Sequence, residues 1–173
     1  MLLASFALAG TLAGVSVPDS ASIGSAPIAL NGIGLREKFY IDVYVGALYL
    51  THPTHDGNTA INADEPKRIV MHFIYSKVTK EQIVETFEEQ FGENPSAVAA
   101  RPNINKMESW IPAEVHAGDE IVFDYVPGTG TTMKAMGKVM GTIPGADFMK
   151  LVWGVYLGPK PPTADLKSGM LGK

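Results

Sequence analysis

The sequence predicts an α+β fold, a β-sheet with helices inserted into it and appended after it. Three observations carry this. Leu30–Leu50, LNGIGLREKFYIDVYVGALYL, is a long run rich in Tyr, Val, Ile and Phe, residues that suit a pleated, half-buried surface. Arg68–Tyr75, RIVMHFIY, is a second apolar run of strand length. Helical periodicity enters only after these, so strands and helices do not alternate as they would around a parallel sheet.

Taken in order, Val15–Val17 and Ala26–Leu30 read as short opening strands joined by a Ser/Gly/Asp/Pro segment. Residues 34–50 form the dominant β element, read as one strand bent near Glu37-Lys38, because a two-residue hairpin turn favours Asn-Gly or Asp-Gly. His52–Pro66 is a polar loop with Pro, Asp, Gly and Asn. A helix starts at Thr79, with Gln82 completing a capping box and Val78 and Ile83 spaced as a hydrophobic staple. Ile83, Val84, Phe87 and Phe91 make its apolar stripe, and Gly92 ends it. Glu81, Glu85, Glu88 and Glu89 form its solvated face.

A short helical pattern near Ile104–Trp110 stops at Pro112. Glu120–Val126 and Thr132–Thr142 are strands around the hairpin loop Pro127-Gly128-Thr129-Gly130. A helix follows from about Asp147 to Leu157, ended by Gly158-Pro159, and Thr163 caps a last short one.

The 173 residues, 46% of them hydrophobic, suffice for one domain with a proper core. A net charge of -4 and the lack of a Lys/Arg block argue against a nucleic-acid partner. The absence of cysteine excludes thiol catalysis, disulfides and thiolate metal sites. Leu2–Val17 is apolar, uncharged and shorter than a comfortable membrane span, and it breaks at Pro18. It fits the apolar part of a secretory leader, with candidate cleavage sites at Ala7-Leu8-Ala9 or near Ala13; a retained anchor and a buried first element are the alternatives. The expectation is a leader over 1–14, a single domain over 15–173, and a periplasmic or secreted location.

The chemistry centres on Arg36. A guanidinium keeps its charge at physiological pH, and burying it without a partner is costly. On a continuous strand the even positions share one face, Arg36, Lys38, Tyr40, Asp42, Tyr44, Gly46, Leu48 and Leu50, a mixture suited to a ligand cavity wall. Arg36 either binds a ligand's anionic oxygen, with the Tyr44 hydroxyl as a further donor, or pairs internally with Asp42 or a helix glutamate. Both readings stand at this point. The histidines suit loops (His52, His55, His116) and a sheet (His72) better than metal or base chemistry, and no nucleophile elbow or phosphate loop occurs.

Several segments in their order resemble the chalcone isomerase-like family, specifically its secreted bacterial branch. They are VPD at Val17–Asp19, LNGIGLREKF at Leu30–Phe39, VYVGALYL at Val43–Leu50 and KRIVMHF at Lys67–Phe73. GDEIVFDYVPGTGT at Gly118–Thr131, GTIPGADF at Gly141–Phe148 and WGVYLGPKPPTADLKSGMLG at Trp153–Gly172 extend the match over nearly the whole chain. The resemblance implies an open-faced β-sandwich, an antiparallel sheet backed by helices with a cleft between them. In the family's plant enzymes an arginine matching Arg36 stabilises charge developing on a phenolic enone. In its fatty-acid-binding relatives the same arginine and a tyrosine, matched here by Tyr44, hold a carboxylate.

Three departures from the enzymes favour the binding branch: Tyr44 stands where the plant enzyme has threonine, Ile83 falls where they have an active-site tyrosine, and Leu151 where they have a hydroxyl residue contacting substrate. Gln90 lies near their asparagine. The expectation is non-catalytic binding of a fatty acid or similar amphiphilic or aromatic carboxylate, without cofactor or metal. Arg36 and Tyr44 would hold the acid, and Ile83, Val84, Phe87, Gln90, Leu151 and Val152 would line the site. The alternatives are a chalcone isomerase-type intramolecular lyase with Arg36 as its catalytic group, and an interaction protein with a vestigial cleft. Oligomeric state is left open.

Overall fold

A computed structural model describes residues 8–92 and 94–173. The chain opens with a two-stranded ribbon, β1 (Leu8–Leu12) and β2 (Val15–Pro18), turned at Ala13-Gly14, both at positive φ. β1 therefore occupies part of the segment expected as a leader, 1–14; residues 1–7 of that segment lie outside the described residues.

β3 (Ser20–Ile23), β4 (Ala26–Lys38) and β5 (Ile41–Leu50) follow as hairpins. The dominant element is thus two strands, not one bent strand. The chain reverses at Phe39-Tyr40, with φ of 52° and 61°, the backbone of a two-residue hairpin turn that normally selects Asn or Gly. No residue at that place announces the turn. An irregularity between Arg36 and Glu37 leaves Arg36 paired with Tyr44, whereas Glu37 pairs with Asp42.

Next come the short helix α1 (Gly57–Asn62), within the expected polar loop and capped by Asp56, and β6 (Lys67–Phe73). β7 (Lys77–Thr79) leads into α2 (Lys80–Phe91), whose Thr79–Gln82 capping box forms in both directions. α3 (Pro95–Ala99) and α4 (Arg101–Ser109) precede β8 (Glu114–His116), which pairs with β7 in a separate small sheet. β9 (Glu120–Val126), β10 (Gly130–Ala135) and β11 (Lys138–Ile143) form a meander. Its second turn, Met136-Gly137, splits the single strand expected over Thr132–Thr142. α5 (Ala146–Leu157) and α6 (Ala164–Met170) close the chain.

The main sheet is antiparallel, in the order β11-β10-β9-β6-β5-β4-β3. One face, carrying Tyr44, Leu48, Leu50, Ile69, Met71, Phe73 and Phe123, packs on α2, α4 and α5 in the principal core. The other, with Val45, Ala47 and Tyr49, is covered by the ribbon through Val15 and Val17. α6 crosses β4 at backbone distance: a Cβ on Gly34 would stand 2.2 Å from the Leu166 carbonyl oxygen, and one on Gly32 2.1 Å from that of Gly169. Only glycine admits that approach.

Candidate binding cavity

The β4–β5 register sets Arg36 directly across from Tyr44, on the face that meets α2 and α5. Arg36 is 8% exposed. Its Nη1 donates to the carbonyl oxygens of Glu37, at 2.8 Å, and Pro162, at 3.0 Å. Both partners are neutral, and Arg36 forms no ion pair with a carboxylate among the described residues. Neither Asp42 nor a helix glutamate forms an ion pair with it: Asp42 pairs in the ladder with Glu37, Glu85 sits 3.9 Å from Lys38, and Glu88 pairs with Arg101. Nε and Nη2 keep their donors without a protein partner among the described residues.

Tyr44 is 4% exposed, with its ring 5.5 Å from that of Phe73 and its hydroxyl without a hydrogen-bond partner. Burial raises its pKa well above the ordinary phenol value, the Arg36 charge offsetting part of that rise. The phenol stays protonated and able to donate. Tyr156 is buried nearby, its hydroxyl donating to Met71 Sδ at 3.0 Å, and burial raises its pKa as well.

Around these groups lies a cavity of about 310 Å³. The sheet supplies Val43, Tyr44, Met71 and Phe73; α2 supplies Ile83 and Phe87; α5 supplies Val155 and Tyr156. Lys38, Phe39, Ile41, Tyr75, Val78, Gln82, Glu85 and Thr86 complete the wall, and Pro162 approaches from the segment before α6. This is a largely apolar hollow with one buried guanidinium and one unpartnered hydroxyl.

A model of the chalcone isomerase-like family matches residues 9–172. The chain belongs to the chalcone isomerase-like family. Comparison with curated protein sequences finds no match. Among solved structures, the chain is similar to a fatty-acid binding protein of Arabidopsis thaliana, with a TM-score of 0.72 and 17% identity, covering 91% of this chain and 92% of that one. The likeness establishes the fold: an antiparallel sheet backed by helices, as the resemblance implied.

In this chalcone isomerase-like chain, Arg36, Tyr44, Ile83 and Phe87 surround one cavity. The other four expected site residues do not line it. Val84 is partly buried against the core, and Val152 is fully buried within it. Gln90 and Leu151 line a second, larger cleft of about 810 Å³ among α2, α3, α4 and α5. That cleft is rimmed by Asn94, Asn103, Asp147, Lys150 and Lys160, and it holds no buried cation. From α5 the cavity takes Val155 and Tyr156 instead of Leu151 and Val152. Val155 and Tyr156 stand four residues beyond Leu151 and Val152, one helical turn nearer the cavity.

Met71 and Phe73 were also missed, although they alternate on β6 and pair with Gly46 and Tyr44. Strand register would have found them; sequence alone does not supply it. Among the described residues no group of three or more His, Cys, Asp or Glu side chains is placed to hold a metal. Lys67, the other buried cation among the described residues, has its role within the fold. Its Nζ donates to the carbonyls of Ala60, Ile61 and Ala63 at the end of α1, beside the Trp153 and Tyr125 rings.

Proposed function

We propose that this protein binds a fatty acid or a similar amphiphilic carboxylate without converting it. One observation carries the reading: a buried guanidinium, hydrogen-bonded only to neutral carbonyls, stands beside an unpartnered tyrosine hydroxyl, its cross-strand neighbour, in the wall of a largely apolar cavity. A carboxylate supplies what both groups lack, accepting from Nε and Nη2 in a planar pair and from the Tyr44 hydroxyl. The fold likeness to the Arabidopsis fatty-acid binding protein supports the same reading. The cavity is near the lower end of the range for small-molecule sites, roughly 300–1,000 Å³.

The charge-assisted contact contributes about 1.5 to 3 kcal/mol. Each buried methylene adds about 0.8 kcal/mol, so a chain of several carbons outweighs the headgroup. Titrating saturated fatty acids of increasing length into wild type and Arg36→Ala tests this. Affinity rises with length until the hollow is filled, and Arg36→Ala weakens every member by about tenfold or more. Equal affinity across lengths and across both proteins ends the proposal. Turnover of a phenolic enone that vanishes in Arg36→Ala would assign the cavity to the isomerase reading instead.

A further inference from the structure

At the β4–β5 turn, Phe39 is 83% exposed and Tyr40 96% exposed. Ile41, at 42%, and Tyr75, at 40%, stand beside them. Both turn residues hold positive φ, where bulky side chains are disfavoured and Asn-Gly would serve better. The fold thus accepts backbone strain to keep two rings at the apex. The Phe39 side of the apex is also continuous with the hollow, since Phe39, Ile41 and Tyr75 form part of its wall.

From this we infer that the Phe39-Tyr40 turn docks the protein on the surface of an uncharged lipid bilayer, setting the cavity mouth against the lipid. The inference deepens the carrier reading and rests on it for the ligand's route. Area selects the occupant. Aromatic side chains bury about 150–250 Å² each, so the apex offers well under the roughly 800 Å² per partner of a stable protein interface. A protruding wedge of that size suits the headgroup boundary, where tyrosine presents an apolar ring and a wet hydroxyl. Charge selects the lipid. Lys38, the cation beside Phe39, is matched by Glu85, and Glu37 and Asp42 flank the turn, so no net positive charge draws the tip to anionic headgroups.

The test is sedimentation of the full chain with phosphatidylcholine vesicles, without fatty acid. Wild type co-sediments, and the Phe39→Asn, Tyr40→Gly variant partitions about tenfold less or lower. Because that variant supplies the residues the turn prefers, its Tm equals or exceeds that of wild type, so lost binding is not lost folding. Tyr40→Gly alone, at a position outside the cavity wall, also reduces partitioning while its fatty-acid affinity in solution stays unchanged. Equal partitioning of wild type and the double variant, or none by either, overturns the inference. So does stronger binding of both to phosphatidylserine vesicles, which assigns the attraction to charge elsewhere. A wild-type dimer in sedimentation velocity that the double variant dissolves would assign the apex to a second copy and overturn it too. Vesicle binding without fatty-acid affinity would leave the docking standing and remove the carrier reading; the reverse result would do the opposite.

Discussion

At Tyr44 the folded chain accepts a cost that the proposed contact with a carboxylate would account for. A buried hydroxyl without a partner costs about 1 to 3 kcal/mol. Tyr44→Phe removes only that oxygen, so ligand-free protein should become more stable by about 1 kcal/mol in urea unfolding, while carboxylate affinity falls by about tenfold. A variant that loses stability and keeps its affinity would show the hydroxyl to be structural. Arg36 and Tyr44 were legible because a cation and a phenol stand out in a strand-forming run. The apolar liners were less so. Ile83 and Phe87 share a helical stripe with Val84, and periodicity does not tell which edge of the stripe meets the hollow and which the core.

Among the elements, α6 governs how firmly Arg36 is held. The helix lies backbone to backbone on Gly32 and Gly34, and Pro162, just ahead of it, supplies a carbonyl to Nη1. Gly34→Ala sets a methyl 2.2 Å from the Leu166 oxygen, which forces α6 away. Loss of about 1 to 3 kcal/mol in denaturant unfolding is expected. Earlier hydrogen exchange in 164–171 and weaker carboxylate binding should accompany it.

Between α2 and α4 the Glu108 carboxyl is pushed up to about 7, first by burial and then by the neighbouring Glu88 carboxylate. A carboxyl raised on folding favours the folded state while protonated. Its contribution is full below pH 4.5 and is lost as pH rises through 7. Glu108→Gln keeps a donor toward Glu88 and removes the charge, so its Tm should match wild type at pH 4 and exceed it at pH 8; the opposite order would refute the assignment. The long elements were readable from caps and periodicity. The turn at Phe39-Tyr40 was not, because tertiary context overrides the residue preference that marks such turns. The three-residue strands β7 and β8 are too short to carry a period.

Across the molecule, the family and the α+β plan were legible because ordered motifs span almost the full chain, whereas strand order and the ribbon's placement depend on pairing that no local pattern specifies. The same scale sets how ligand arrives. A net charge of -4 surrounds the guanidinium shut inside, while Lys38 and Glu85 in the cavity wall offset each other. At low ionic strength, where the screening length is about 30 Å, that outer field repels a fatty carboxylate; near 0.15 M, where it is about 8 Å, little of it remains. Stopped-flow association should therefore quicken as salt is added, with dissociation from the enclosed guanidinium changing far less. Slowing instead would mean a positive field guides the approach. On the carrier reading, a molecule of this build does not beckon to its cargo from afar; it recognises it on contact, and ambient salt smooths the way in.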